Sequence, residues 1–141
     1  MNKIRMIALA ACMAATLDAA AQEQEIRLFS HRGGRMEHDE NTLSAFQASY
    51  DAGYRGFETD IRMTRDGALV ITHDSSLERT TDGTGTVEEK TEAEIRRLRT
   101  KQGNKVLFLD ELLEFLEGKE GLYVEFEMKT KPEALYPEER L

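Results

Sequence analysis

Between positions 56 and 63 the side chains alternate in character. Phe57, Thr59, Ile61 and Met63 fall on one side of the chain, with Glu58, Asp60 and Arg62 between them. A period of two predicts a β-strand. The same alternation returns over 122–128, where Leu122, Val124, Phe126 and Met128 interleave with Tyr123, Glu125 and Glu127. A short apolar-rich run over 26–30 reads as a further strand, ending at His31-Arg32-Gly33-Gly34. Arg65-Asp66-Gly67 carries the Asp-Gly signal of a tight hairpin, which makes 68–72 the returning strand. Helical spacing follows Asn41 or Thr42, either of which can cap a helix bearing Leu43, Phe46 and Tyr50, and Gly53 stops it. Thr91 and Glu94 form a capping box for a short helix through Leu98. Asp110 opens a helix carrying Leu112, Leu113, Phe115 and Leu116, closed by Gly118. Strand, helix, strand pair, helix, strand is the order of an α/β protein. Beyond Thr130, Pro132 and Pro137 punctuate a polar stretch that reads as an interrupted element.

The first 21 residues have a different logic. Lys3 and Arg5 precede an apolar stretch over 6–17, and Ala19-Ala20-Ala21 is a small-residue cleavage pattern. Together they predict a secretory signal peptide and a domain over 22–141, exported to the periplasm or the medium. The apolar stretch is shorter than the roughly 20 residues that span a bilayer. Leu9-Ala10-Ala11-Cys12 resembles a lipobox, so a lipoprotein anchored at Cys12 is the alternative.

Composition narrows the partners. Nineteen Lys+Arg against 27 Asp+Glu give a net charge of −8, and loss of Lys3, Arg5 and Asp18 would make it one unit more negative. Such a chain has no surplus of cations to displace the counterions of nucleic acid, which argues against that partner. A single cysteine excludes an internal disulfide and a Cys-rich zinc site. With 40% hydrophobic and 33% charged residues, the chain fits a soluble globular domain.

Three pairs of polar residues sit where strands should be apolar or end. Glu58 and Asp60 share one face of a strand, and two carboxylates side by side repel unless a cation lies between them. A hard ion such as Ca²⁺ or Mg²⁺ suits that pair, although a solvated strand face with Arg62 in register gives the same pattern. His31 and His73 each end a predicted strand, where side chains in parallel α/β units converge on one crevice. Histidine exchanges protons near neutral pH, which fits acid–base work. Glu127 and Lys129 repeat the two-residue spacing. Glu125 shares their side, so spacing does not separate it from Glu127 as a ligand, and a cross-strand ion pair is the plainer alternative. His38 is a loop residue, at most at the rim.

These residues, taken with Glu40-Asn41-Thr42, Glu58-Thr59-Asp60, His73-Asp74 and the Leu77-x-Arg79-Thr80-Thr81-x-Gly83-x-Gly85 run, resemble the glycerophosphodiester phosphodiesterases. The motifs stand in that family's order from about Ile26 to Lys129. Asp39 departs from the pattern, standing where many members have proline. The resemblance implies a TIM-type (β/α)₈ barrel. It further implies His31 and His73 as the acid–base pair, with His73 read as the base. Glu58, Asp60 and Glu127 would hold a divalent metal, Ca²⁺ or Mg²⁺, and Arg32 and Lys129 would contact the substrate phosphate. The implied reaction is hydrolysis of a glycerophosphodiester to an alcohol and glycerol 3-phosphate. A lysophospholipid or sphingomyelin phosphodiesterase of the same superfamily is the nearest alternative. A barrel of this kind needs about 250 residues, so the chain is expected to supply only its N-terminal part. A third reading follows from that expectation, namely a truncated, inactive binding module.

Overall fold

The computed structural model describes residues 27–129. The expected signal peptide, Cys12, the beginning of the first strand at Ile26 and the interrupted element after Thr130 lie outside the described residues.

The central strand is β2, Gly56–Met63. On one edge it pairs in parallel with β1, Phe29–His31, and on the other with β4, Tyr123–Met128. The hairpin strand β3, Leu69–Ile71, runs antiparallel to the far end of β2. Ile61 is paired with both Ile71 and Met128, so β3 lies on the edge that β1 occupies lower down. Helix α1, Leu43–Asp51, connects β1 to β2, and helix α3, Leu109–Leu116, precedes β4. These are two successive strand–helix–strand units. Between them come β3, a 3₁₀ turn over Val87–Glu89 and the four-residue helix α2, Glu92–Ile95. Among the described residues no helix is long and apolar enough to cross a membrane.

Alternation in β2 sets the core. Phe57 and Ile61 pack with Phe46 of α1, Ile71 of β3, and Leu107 and Leu112 at α3. A second cluster joins Val70, Leu77, Val87, Ile95, Val106 and Phe108 under the long connection. The even positions of β2 are sequestered as well, and Asp60 has no exposed surface at all. That removes the solvated-face reading of Glu58 and Asp60.

Local chemistry accounts for the boundaries. Thr42, rather than Asn41, caps α1, its hydroxyl accepting from the Ala45 N–H at 3.3 Å. Helix α3 begins one residue before Asp110; Phe108 has no side-chain acceptor, and Glu111 reaches back to the Phe108 N–H at 3.0 Å. Helix α2 stops at Ile95 instead of reaching Leu98. The chain beyond it is drawn into extended pairing, with the Asp82 N–H donating to the Arg99 carbonyl at 2.9 Å and Thr81 bridging Thr100. Strand β1 is displaced from the expected 26–30 so that His31 is its last residue, in register with Glu58.

Candidate active site

Two backbone twists aim the side chains. Arg32 and Asn41 are the described non-glycine residues with positive φ, at 54° and 57°. This left-handed region costs on the order of 1–3 kcal/mol per residue and persists where the surroundings enforce it. The turn at Arg32 lets its N–H donate to the Glu58 carbonyl at 2.9 Å and approach Glu58 Oε2 at 3.2 Å. Its buried guanidinium lies with Nε 3.1 Å from Asp60 Oδ2 and Nη1 3.2 Å from Glu40 Oε1. Gly33 follows at φ +74°, where a Cβ would stand 2.9 Å from that of Ala45, so the turn is pressed against α1. Asn41 donates to Asp60 Oδ2 at 3.1 Å and accepts from the Thr59 hydroxyl at 3.0 Å. By its place in the sequence Asn41 is a candidate helix cap. Its positive φ and its contact with a buried carboxylate carry no sequence signal beyond the Glu-Asn-Thr motif.

Glu58, Asp60 and Glu127 come together, each offering a carboxylate oxygen within 4.8 Å of the others. Asp60 and Glu127 are in register across β2 and β4, and Glu58 is two residues down the same face. Glu125 pairs with Glu58 but is not part of the cluster. Lys129 joins from the end of β4, with Nζ 3.1 Å from Asp60 Oδ1 and 2.5 Å from Glu127 Oε1. The cross-strand ion pair and the carboxylate cluster therefore coexist.

His31 Nε2 stands 3.5 Å from Glu58 Oε2, half exposed. His73 arrives differently from the expected parallel unit. Strand β3 is antiparallel, and it returns the chain from Met63 back toward the middle of β2. There the Thr72 N–H donates to the Asp60 carbonyl at 3.0 Å, and the His73 ring beyond it meets Asp74, with Nδ1 2.7 Å from Oδ1. Arg62 fixes that segment, donating from Nε to the His73 carbonyl at 2.8 Å and from Nη1 to Glu88 at 3.0 Å.

The electrostatics match the crowding. Burial pushes the Glu58 carboxyl up, and Asp60 beside it adds to the effect. Desolvation opposes the charge on Lys129, yet Glu127 and Asp60 hold its ammonium above the ordinary lysine range. Hydrogen bonding from Arg79 holds Glu40 low and carries Asp74 down to about 2, the latter helped by His73.

Asp39, where the family pattern has proline, is no loose substitute. Its carboxylate accepts from Thr100 Oγ1 at 2.5 Å and Asn104 Nδ2 at 2.8 Å, tying the loop before α1 to the segment before α3.

The sequence profile of the glycerophosphoryl diester phosphodiesterase family matches residues 31–140. The chain belongs to this family. A glycerophosphodiester phosphodiesterase of Caldanaerobacter subterraneus is 36% identical over 123 residues, which cover 81% of this chain and 50% of that protein. Among solved structures, one of that name from Agrobacterium tumefaciens has a TM-score of 0.66 at 36% identity, over 72% of this chain and 47% of the other. A glycerophosphoryl diester phosphodiesterase from Parabacteroides distasonis has a TM-score of 0.68 at 32% identity, over 82% and 42%. The fold is thus the N-terminal part of a TIM barrel, and the chain spans about half the length of the relatives it matches.

Proposed function

We propose that this chain carries the metal and phosphate subsites of a metal-dependent glycerophosphodiester phosphodiesterase. The observation behind this reading is the convergence of Glu58, Asp60 and Glu127 beside two buried or half-buried cations, Arg32 and Lys129. The three carboxylates fit a divalent ion. Asp60 is wholly buried, and its Oδ1 lacks a hydrogen bond of good geometry although Lys129 lies nearby. Glu58 resists ionisation next to Asp60, which is the condition a bound cation relieves. Oxygen-only donors suit Ca²⁺ or Mg²⁺ rather than a softer metal. Bound there, the ion would neutralise charge that grows on the phosphate oxygens in the transition state.

The chain's own residues supply the remainder. Carboxylates outnumber Arg32 and Lys129 in the pocket, and a divalent ion would offset that excess toward an anionic phosphodiester. Arg32, fixed between Asp60 and Glu40, and Lys129 orient the phosphate. His73 accepts the proton of the attacking oxygen, and His31 donates one to the leaving alkoxide. The products are an alcohol and glycerol 3-phosphate. We further assign residues 1–21 to a cleaved signal and 22–141 to the N-terminal portion of the barrel domain, exported to the periplasm or the medium. N-terminal sequencing of the exported protein tests that assignment, and a lipid mass increment on Cys12 would replace it by the lipoprotein form.

The activity test follows glycerol 3-phosphate release from glycerophosphocholine by the full-length protein, with Ca²⁺ or Mg²⁺ and with chelator. Release that requires the ion and is lost in His31→Ala supports the assignment. Release indifferent to chelator or to His31→Ala rejects it.

A further inference from the structure

The Glu-Asn-Thr motif and the Arg79 motif take no direct part in that scheme, yet one guanidinium joins them. Arg79 donates from Nη1 to Glu40 Oε2 at 3.0 Å and from Nη2 to Glu40 Oε1 at 2.7 Å. Its Nε is hydrogen-bonded to Asp74 Oδ2. The other oxygen of Asp74 lies 2.7 Å from His73 Nδ1, and Glu40 Oε1 also meets Arg32. A planar fork therefore spans the loop after β3 and the loop before α1, regions 39 residues apart in sequence. Asp74 is held ionised down to about pH 2 by this contact and by His73, so it is an acceptor at any working pH. In the neutral ring, an acceptor at Nδ1 places the hydrogen there and leaves Nε2 with its lone pair.

We infer that Arg79 is a positioning residue: by clamping Asp74 against Glu40 it fixes His73 as the Nδ1–H tautomer, with Nε2 the atom that takes a proton. The inference deepens the function proposed above and rests on His73 being the base. The same clamp ties the orientation of His73 to that of Arg32, so the proton acceptor and the phosphate contact are set by one brace. Lysine at position 79 would keep the charge but could not address three carboxylate oxygens in one plane.

The test reads the His73 tautomer by ¹⁵N multiple-bond NMR at neutral pH in the 141-residue chain, without substrate. The wild type should show mainly the Nδ1–H form. Hydrogen bonds to charged groups shift equilibria by about tenfold or more, so Asp74→Asn should lower the Nδ1–H to Nε2–H ratio by about that factor. Arg79→Met should lower it about threefold, because Asp74 stays charged but loses its brace. Arg79→Lys should stay with Arg79→Met. Backbone amide signals of Phe46, Phe57 and Ile71 report whether each variant keeps its core. An unchanged ratio in both Asp74→Asn and Arg79→Met overturns the inference, as does full restoration by lysine or a change seen only when the core signals also move. No substrate enters this measurement. Expected ratios in a protein that cleaves no diester would sink the phosphodiesterase reading alone, and unchanged ratios in an active protein would sink the brace alone.

Discussion

The carboxylate cluster is built from two strands in opposite situations. Strand β2 is enclosed: Phe57, Thr59 and Asp60 have no exposed surface, and paired strands flank it on both edges. Strand β4 pairs only with β2 among the described residues, and Tyr123, Phe126 and Met128 are 48%, 37% and 58% exposed. Asp60 is therefore fixed by Arg32, Asn41 and Lys129 inside a packed layer. Glu127, more than half exposed, is held by its backbone ladder and Lys129. Among the described residues, one half of the site is enclosed and the other stands on an open edge. Identical chemistry at the two positions should then carry different energies.

The largest contrast is expected at the carboxylates. Asp60→Ala strips the buried Arg32 of a partner and leaves Lys129 with only Glu127. Removing one member of a buried ion pair costs about 3–5 kcal/mol, and binding of Ca²⁺ should fall below detection. Glu127→Gln should also weaken Ca²⁺ binding at least tenfold, but with a stability change of about 0.5 kcal/mol or less, as at exposed sites. Urea melts paired with calorimetric titration separate the two. Equal destabilisation would abolish the distinction between the enclosed half and the open-edge half.

The apolar neighbours sharpen it without touching the chemistry. Phe57 stacks edge-on against Phe46 at 5.7 Å between ring centres. Its truncation to alanine should cost about 3–5 kcal/mol. Phe126→Ala on β4 should cost about 1 kcal/mol or less, since more than a third of that residue already meets water. The same melts measure both.

A change of opposite sign is expected at Glu58. Burial and Asp60 both disfavour its charge. Glu58→Gln should therefore raise the Tm of the metal-free protein slightly while abolishing the Tm increase that a bound cation gives to the native state. A wild-type protein whose Tm ignores millimolar Ca²⁺ and Mg²⁺ would argue that the cluster is a network of ion pairs and nothing more.

The strands and their facing residues were legible in the sequence, for a physical reason. Period two at 56–63 and 122–128 reports which residues share a sheet face, and register then brings Asp60 beside Glu127. Thr42, Gly53 and the Asp66-Gly67 turn sit where capping and turn chemistry requires. Burial on both faces was not legible. Glu58, Asp60 and Arg62 look like a solvated stripe until Arg32, Asn41 and Lys129 close over the two carboxylates and Glu88 takes Arg62, partners tens of residues away in sequence. The hairpin at Asp66-Gly67 was legible and folds β3 back along β2, so His73 follows an antiparallel strand and not the parallel strand end that the crevice argument assumed. Asn41 and Arg79 were visible as letters in motifs. Their work depends on a left-handed backbone and on a fork between two loops, and neither leaves a periodic trace.

The smallest expected effect is a pH dependence, and it tests whether the loops over the cluster share the firmness of β2. Asp74 has its folded-state pKa lowered from 3.8 to about 2, first by the hydrogen bond from Arg79 and then by His73. A carboxylate depressed in the folded state contributes stability that is fully present above its unfolded pKa and lost as pH falls through the folded value. Asp74→Asn should thus be less stable than the wild type above about pH 4, with the gap closing between there and about pH 2. Arg79→Met should show a shallower version of the same profile, since His73 still faces Asp74. Urea melts across that window give the difference directly. A gap that stays constant with pH would mean that Asp74 is held by packing, with its charge irrelevant, and that the brace over the site is no firmer than the exposed edge at β4.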